Sequence, residues 1–429
     1  MESLWRRQEK GNAEKLKQDN FRGKDSHWDV IVVGAGMAGI LTAYYLKEQG
    51  KRVLVLEADR LASGQTERTT AKITSQHGLK YSKLIKTVGM KKAELYDKAN
   101  EEAIREYERL IEVNRIECEF QRLPAYLYTL KNPEVLEEEV RAAEALGMDA
   151  VFTKETELPF SVEGAVCFQN QAQFSPLKFI HSIAAELEIL EHTKVIAVKG
   201  RRVITKDRVM TAEKIVLATH YPIKNVPGFY FLRQHQERSY VLALSGCSKI
   251  NGMYYGIDQD GLSFRQAGDF LLVGGGSHRT GENKKGGSYD FLMQAAKKYF
   301  PDCREEARWS AQDCMPHDKI PFIGKFSMFT PHLYVATGFQ KWGMTSSMIA
   351  AMVLRDELCG KENPYGALFS PQYRDEEGKL HKISARCPHM GCELTWNPDE
   401  KSWDCPCHGS RFDVDGKLLD NPAKKDAGK

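Results

Sequence analysis

The 429-residue chain has no apolar run approaching the ~20 residues of a membrane-spanning helix, so no membrane partner is expected. Its opening stretch, MESLWRRQEKGNAEKLKQDNFRGKDSHWD, is charged throughout and lacks the apolar segment of an export signal. The expected compartment is the cytoplasm, with residues 1–27 a polar lead-in, either solvated or forming a short helix on the surface. Charge of one sign is missing too. Lys and Arg number 61 against 58 Asp and Glu, and a formal net charge of +3 gives no reason to expect nucleic acid as a partner. Nor is there the disulfide framework of a small secreted protein. Of ten cysteines, Cys118, Cys167, Cys247, Cys303, Cys314 and Cys359 stand singly and read as buried thiols. No triad of nucleophile, base and acid can be assigned, so the catalytic residues are unknown. What is present, a 42% apolar composition in a chain long enough for two or three cores, suits a globular protein.

The stretch Asp29–Glu57, DVIVVGAGMAGILTAYYLKEQGKRVLVLE, organises the rest. Val30–Val33 is a β-branched apolar run, as in a strand buried on both faces of a parallel sheet. Gly34, Ala35, Gly36 and Gly39 follow at once. The first glycine permits a tight turn, the second lets backbone approach a pyrophosphate, and the third lets helix pack on strand. From Met37 apolar residues recur at helical spacing up to Gly50, so a phosphate would meet the unpaired N–H groups of a helix N-terminus. A second strand, Val53–Leu56, ends in Glu57, where this motif binds ribose hydroxyls. An acid there, rather than an Arg, points to FAD or NAD over NADP. A lone GxGxxG can be a structural loop, but strand, glycines, helix, second strand and terminal acid together argue against that.

Farther along, Ala58–Tyr81 reads as loop with short turns, and Ser82–Ile116 as one or two amphipathic helices. Ala125–Leu130 and Val166–Phe168 read as strands, with helices opened by Asn132-Pro133 and by Ser175-Pro176. Thr193–Thr219 alternates as a β-meander that returns to a buried strand at Ile215–Ala218. Tyr240–Leu244, Met253–Ile257, Leu262–Arg265 and Phe270–Val273 form an antiparallel set suited to lining a pocket, followed by a helix near Asp290–Tyr299. Leu333–Val335 then leads through a turn bearing Gly338 and Gly343 into an apolar helix.

Taken in order, GAGMAG with Glu57, IVLATHYP, WSAQDCMPHDKIPFIG and ATGFQKWGMTSS resemble the FAD-dependent oxidoreductases of the D-amino-acid oxidase type, the group of glycine and sarcosine oxidases. The resemblance spans about residues 28–362. It implies an α/β fold, in which a Rossmann-type FAD-binding domain is assembled from 28–80, 172–226 and 310–362. A mostly antiparallel substrate domain, 81–171 and 227–309, is inserted between those segments. By similarity Gly34, Ala35, Gly36, Gly39 and Glu57 hold the ADP half, and Val195, Ala218 and Thr219 lie on the adenine side. Arg68, Thr69, Thr70 and Lys72 pass under the pyrophosphate and flavin, while Gly338, Trp342, Gly343 and Met344 adjoin the ring. The implied chemistry is hydride removal from a carbon bearing an amine, with a small amine or amino-acid-like molecule as substrate. His77, His317 and Lys341 fall near these motifs. Such residues are more often ordinary hydrogen-bonded groups, and none is assigned. Cys314 stands near where some sarcosine oxidases attach flavin covalently, but its spacing to Asp318 departs from that pattern and a free buried thiol is expected.

The tail carries a second pattern. Cys387-Pro-His389-Met-Gly-Cys392 and, with fifteen residues intervening after His389, Cys405-Pro-Cys407-His408-Gly-Ser410 resemble the cluster loops of Rieske proteins. The resemblance implies a small all-β domain over 367–423 holding a [2Fe–2S] cluster through Cys387, His389, Cys405 and His408. It also implies a disulfide between Cys392 and Cys407, which a reducing compartment would oppose. Structural zinc is the rival reading. Ser410 stands where a hydroxyl donates to a cluster sulfur, and Phe412 where high-potential members have a tyrosine, so a lower potential is expected. At about sixty residues, with Tyr373 ahead of the loops, the domain is shorter than usual. It would need a staple or a neighbour, and a shortened copy without a cluster is the alternative.

Two functions fit. In one, an enzyme oxidises an amine or amino-acid-like donor at FAD and passes electrons to the Rieske cluster and on to an acceptor that the sequence does not identify. In the other, an electron-transfer module exchanges electrons with protein partners and turns over no small amine.

Overall fold

The computed structural model describes residues 2–9, 27–371, 386–392, 394–397 and 400–427; Tyr373 lies outside the described residues. The strand His27–Val33 pairs in parallel with Val53–Leu56 on one side and with Val209–Leu217 on the other. Glu188–Leu190 and Leu333–Thr337 extend this parallel set in the two directions, and Phe322–Lys325 adds an antiparallel edge. The continuous apolar runs have their cause here. Val30 and Val32 join one hydrophobic core, whereas Ile31 and Val33 join another on the opposite face. Helices Met37–Glu48 and Gly343–Leu358 pack on each other and give Ile40, Leu41, Met348 and Ala351 to the first core.

A nine-stranded sheet stands beside it, running in order Arg304–Pro316, Gln234–Ser245, Phe270–Arg279, Ser263–Ala267, Met253–Gly256, Gln121–Thr129, Gly164–Gln173 and Lys72–Ile73, with Ala150–Thr153 also on Gly164–Gln173. Its pairs are antiparallel except Met253–Gly256 with Gln121–Thr129. The sequence reading did not foresee the strand Arg304–Pro316. It pairs with the whole of Gln234–Ser245, from Gln234↔Pro316 to Ser245↔Arg304, but Glu305, Ser310, Gln312 and Asp313 break its hydrophobic alternation. Gly164–Gln173 is likewise longer than the expected Val166–Phe168, because its polar end is satisfied by side chains. Gln171 is buried and accepts from the Ser75 N–H at 2.6 Å.

The stretch after Tyr81 forms two helices, Tyr81–Val88 and Met90–Asn114, parted at Gly89, where φ is +83°. Pro133 is the N-cap of Glu134–Ala145 rather than its first residue. The lead-in is not merely solvated: helix Leu4–Glu9 buries Leu4 and Trp5. Of the six single cysteines, Cys247 and Cys359 are half-buried rather than buried. Among the described residues no helix is long and apolar enough to cross a membrane.

The tail is a four-stranded antiparallel sheet in chain order, Thr395–Asn397, Ser402–Asp404, Arg411–Phe412 and Leu418–Asp420. Among the described residues its small core consists of Cys387, Leu394, Cys405, Phe412, Ala423 and Ala427.

Candidate functional site

The glycine turn is built by close approach. Gly34 takes φ +108°, and a Cβ there would stand 2.5 Å from the Ala218 carbonyl oxygen. A Cβ on Gly39 would stand 1.9 Å from the Gly34 carbonyl oxygen, so only glycine lets the helix lie against the turn. Glu57 reaches back from the second strand. Its Oε2 accepts from the Ala35 N–H at 2.7 Å and its Oε1 from the Asp59 N–H at 2.9 Å. Thr66, which the sequence did not single out, accepts from the Met37 N–H at 2.9 Å and so caps the first turn of the helix.

A cavity of about 620 Å³ extends from this turn to the antiparallel sheet. Gly34, Gly36, Glu57, Arg68, Thr69, Thr70, Lys72, Val195, Ala218, Thr219, Trp342, Gly343 and Met344 all line it. Ala35, Gly39 and Gly338 do not. Gly338 adopts φ +75° against Pro316, where a Cβ would come within 2.6 Å of the proline Cγ. The sheet contributes residues that sequence reasoning missed, among them Ser239, Tyr240, Tyr255, Ser263 and Asp313. Their strands were legible, but which faces met the cavity depends on long-range pairing.

Three donors fasten the loop Arg68–Thr70 from behind. The indole of Trp309 donates to the Arg68 carbonyl at 2.9 Å, that of Trp5 to the Thr69 carbonyl at 2.8 Å, and Arg265 to the Thr70 carbonyl. The N-terminal helix thus takes part in shaping the cavity.

Lys341 lines the cavity between two acids, Glu237 at 3.3 Å and Asp313 at 3.4 Å. Burial alone would lower its pKa, but these carboxylates hold it above the ordinary lysine value. His77 does not line the cavity. Its Nδ1 meets the Tyr96 hydroxyl and its Nε2 the Thr74 carbonyl oxygen, each at 2.7 Å, and its ring stacks on Trp342 at 4.8 Å. Burial keeps it neutral, so it acts as a support for Trp342. His317 is also outside the cavity lining, with its ring 6.0 Å from that of His235. Cys314 is a free thiol pushed up to about 12 by burial, and it too is absent from the lining.

In the tail, Cys387 and Cys405 are buried while His389 and His408 are exposed, their rings 5.0 Å apart and edge-on. Each loop closes in the same way. The Gly391 N–H donates to the Cys387 carbonyl at 2.8 Å and the Gly409 N–H to the Cys405 carbonyl at 2.9 Å, with both glycines at positive φ. Burial opposes ionisation of Cys387, yet the His389 N–H, the Ser410 hydroxyl and the Cys405 thiol hydrogen-bond to its sulfur and hold its pKa below the ordinary thiol value. Cys392 and Cys407 are joined by a disulfide. They are therefore not free to ligate, although their sulfurs and that of Cys405 lie within 4.8 Å of one another. Two buried sulfurs and two neighbouring imidazoles remain, a donor set that fits a cluster with one thiolate-bound and one imidazole-bound iron.

A dinucleotide turn opening on a sheet-walled cavity, with a Cys/His loop pair appended, defines a flavin and iron–sulfur oxidoreductase. The chain belongs to the FAD dependent oxidoreductase family, which matches residues 29–357, and residues 366–428 match the Rieske [2Fe-2S] domain. It thus has an FAD-binding domain and a Rieske domain. The Bacillus subtilis (strain 168) protein YhfW, described as a Rieske 2Fe-2S iron-sulfur protein, is 34% identical over 94% of this chain and 93% of its own length. The tail alone is 49% identical over 43 residues to cytochrome b6-f complex iron-sulfur subunit 1 of Nostoc sp., covering 10% of this chain and 24% of that one. Among solved structures, glycine oxidase from Geobacillus kaustophilus shares the fold with a TM-score of 0.69 at 18% identity, covering 81% of this chain and 99% of that one. L-proline dehydrogenase from P. horikoshii does so with a TM-score of 0.67 at 16% identity, covering 83% and 100%.

Proposed function

We propose that the protein oxidises an amine or amino-acid-like donor at FAD held in the 620 Å³ cavity and delivers the electrons to the Rieske domain. The observation that carries this reading is the single cavity shared by the glycine turn and the substrate-type sheet, in a chain that also holds an iron–sulfur domain. The likeness in fold to glycine oxidase and L-proline dehydrogenase supports the donor class. When bound, FAD supplies a two-electron acceptor for a hydride, and the cluster a one-electron carrier.

The chain's own residues have separate tasks. Gly34, Gly36 and the helix beginning at Met37 would receive the pyrophosphate, and Glu57 the ribose hydroxyls. Arg68, Thr69 and Thr70, held from behind by Trp309, Trp5 and Arg265, would fix the flavin plane. Trp342, backed by His77 and set edge-on to Tyr255 at 5.4 Å, forms an aromatic wall that excludes water from the donor. The Asp313–Lys341–Glu237 set places fixed charge at the same end. Cys387, His389, Cys405 and His408 would hold the cluster.

Mixing the purified protein with candidate amines, amino acids and hydroxy acids without oxygen tests the donor reading. Bleaching of the flavin band by an amine or amino acid is expected. A flavin that only a reduced protein partner bleaches would favour the electron-transfer module instead.

A further inference from the structure

We propose that the helix Leu4–Glu9 is a strap on the cofactor site, in which Trp5 is the positioning residue that holds the loop 62–71 in the form that retains FAD. This rests on the reading that FAD occupies the 620 Å³ cavity. The helix lies ahead of residue 29, where the match to the FAD dependent oxidoreductase family begins. It packs on the turn Thr66–Arg68, on helix Pro176–Ala184 and on strand Arg304–Pro316. Leu4 and Trp5 are buried there, so apolar contact seats the helix before any polar contact is counted.

Trp5 is the hub of the grip. Its indole N–H donates to the Thr69 carbonyl at 2.8 Å, and the Arg265 guanidinium lies over its ring, 5.1 Å from the centre. Arg265 in turn donates to the Thr70 carbonyl. One side chain therefore governs two of the three tethers on Arg68–Thr70, and only the Trp309 tether to Arg68 is independent of it. Arg6, the next residue of the helix, donates to the Glu67 carboxylate at 2.8 Å and to the Leu61 carbonyl at 3.4 Å. The strap thus meets the chain just ahead of the loop, at its central turn and at its cavity-lining end.

The loop is one that needs holding. Ala62 and Ala71 have φ of +60° and +56°, the left-handed region that residues with a Cβ rarely adopt, and both are buried. Such backbone persists only where its surroundings over-determine it. Between these two alanines, Thr66 accepts from the Met37 N–H while Arg68, Thr69 and Thr70 line the cavity. The cap on the glycine-motif helix and the wall of the cavity are therefore one piece of chain, and loosening it at Thr69 disturbs both. Linkage makes the effect reciprocal: if the seated helix favours FAD, bound FAD favours the seated helix.

The test is the rate of FAD release from full-length, flavin-loaded protein, followed by flavin fluorescence. Trp5→Phe keeps an aromatic ring beneath Arg265 and removes only the N–H, and release should quicken about two- to tenfold, the worth of one hydrogen bond. Trp5→Ala also removes the seat of Arg265 and should quicken release by about thirtyfold or more. In both variants the flavin midpoint potential should shift while the Rieske electron paramagnetic resonance signal stays. Hydrogen exchange supplies the reciprocal measurement: the amides of residues 4–9 should exchange more slowly in FAD-loaded than in FAD-stripped protein. Release from Trp5→Ala at the parent's rate overturns the proposal, as does equal exchange in the loaded and stripped forms. So does faster release accompanied by a lower melting temperature of the whole body and an unmoved midpoint, which a purely structural helix would give. FAD content of the parent separates the two levels. A parent that takes up no FAD removes the reading beneath, and a flavin-loaded parent whose Trp5 variants hold FAD as tightly removes the strap.

Discussion

The flavin body and the Rieske tail are held together by different means. In the body the parallel sheet has a core on each face, and neither core uses a cofactor-facing side chain as its main filling. In the tail, two of the six core residues among those described are Cys387 and Cys405, the sulfurs that would ligate iron. A domain this small gains much of its stability from staples, and here one of them, beside the Cys392–Cys407 disulfide, would be the redox site itself. The body should therefore tolerate loss of its cofactor far better than the tail tolerates loss of its metal.

The sharpest way to break this contrast is Cys405→Ser. It should abolish the Rieske electron paramagnetic resonance signal and the bound iron, and render the tail open to proteolysis, while FAD absorbance stays. Equal loss of flavin would mean that the two regions are one stability unit. The converse is Gly39→Val, whose side chain cannot fit 1.9 Å from the Gly34 carbonyl oxygen. FAD affinity should fall at least tenfold, with the Rieske signal kept. Cys392→Ser opens a link between residues 15 apart in sequence and should destabilise the tail by about 3 kcal/mol, seen as a lower tail transition with the body's transition unmoved. The smallest effect is Phe412→Tyr. Phe412 is fully buried in the tail core, and a hydroxyl there adds a donor for a cluster sulfur, so a redox titration should show a higher midpoint.

The comparison also accounts for what could be seen in the sequence. The parallel core was legible because strands buried on both faces must be continuous apolar runs, as Val53–Leu56 is. The glycine turn and the tail loops were legible because each is a local arrangement of close approach and donor atoms. Arg304–Pro316 was hidden, since the Gln312 side chain is turned to hydrogen bonds with Arg238 and Gln236 and Asp313 to the cavity rather than to a core. Trp5 was hidden among charged neighbours, and only the fold brings its indole to Thr69. Lys72 was named for its place in a motif. That Tyr254, Ser263 and Arg265 converge on its ammonium from the sheet became visible only in the fold.

The central claim is that one chain takes electrons from a small donor and carries them to its own iron–sulfur tail. Rapid-freeze electron paramagnetic resonance after anaerobic mixing with a donor that bleaches the flavin tests it most directly. The prediction is a reduced Rieske signal rising as the flavin band is bleached, and absent from Cys405→Ser although its flavin still bleaches. A bleached flavin beside a cluster that stays oxidised would contradict it.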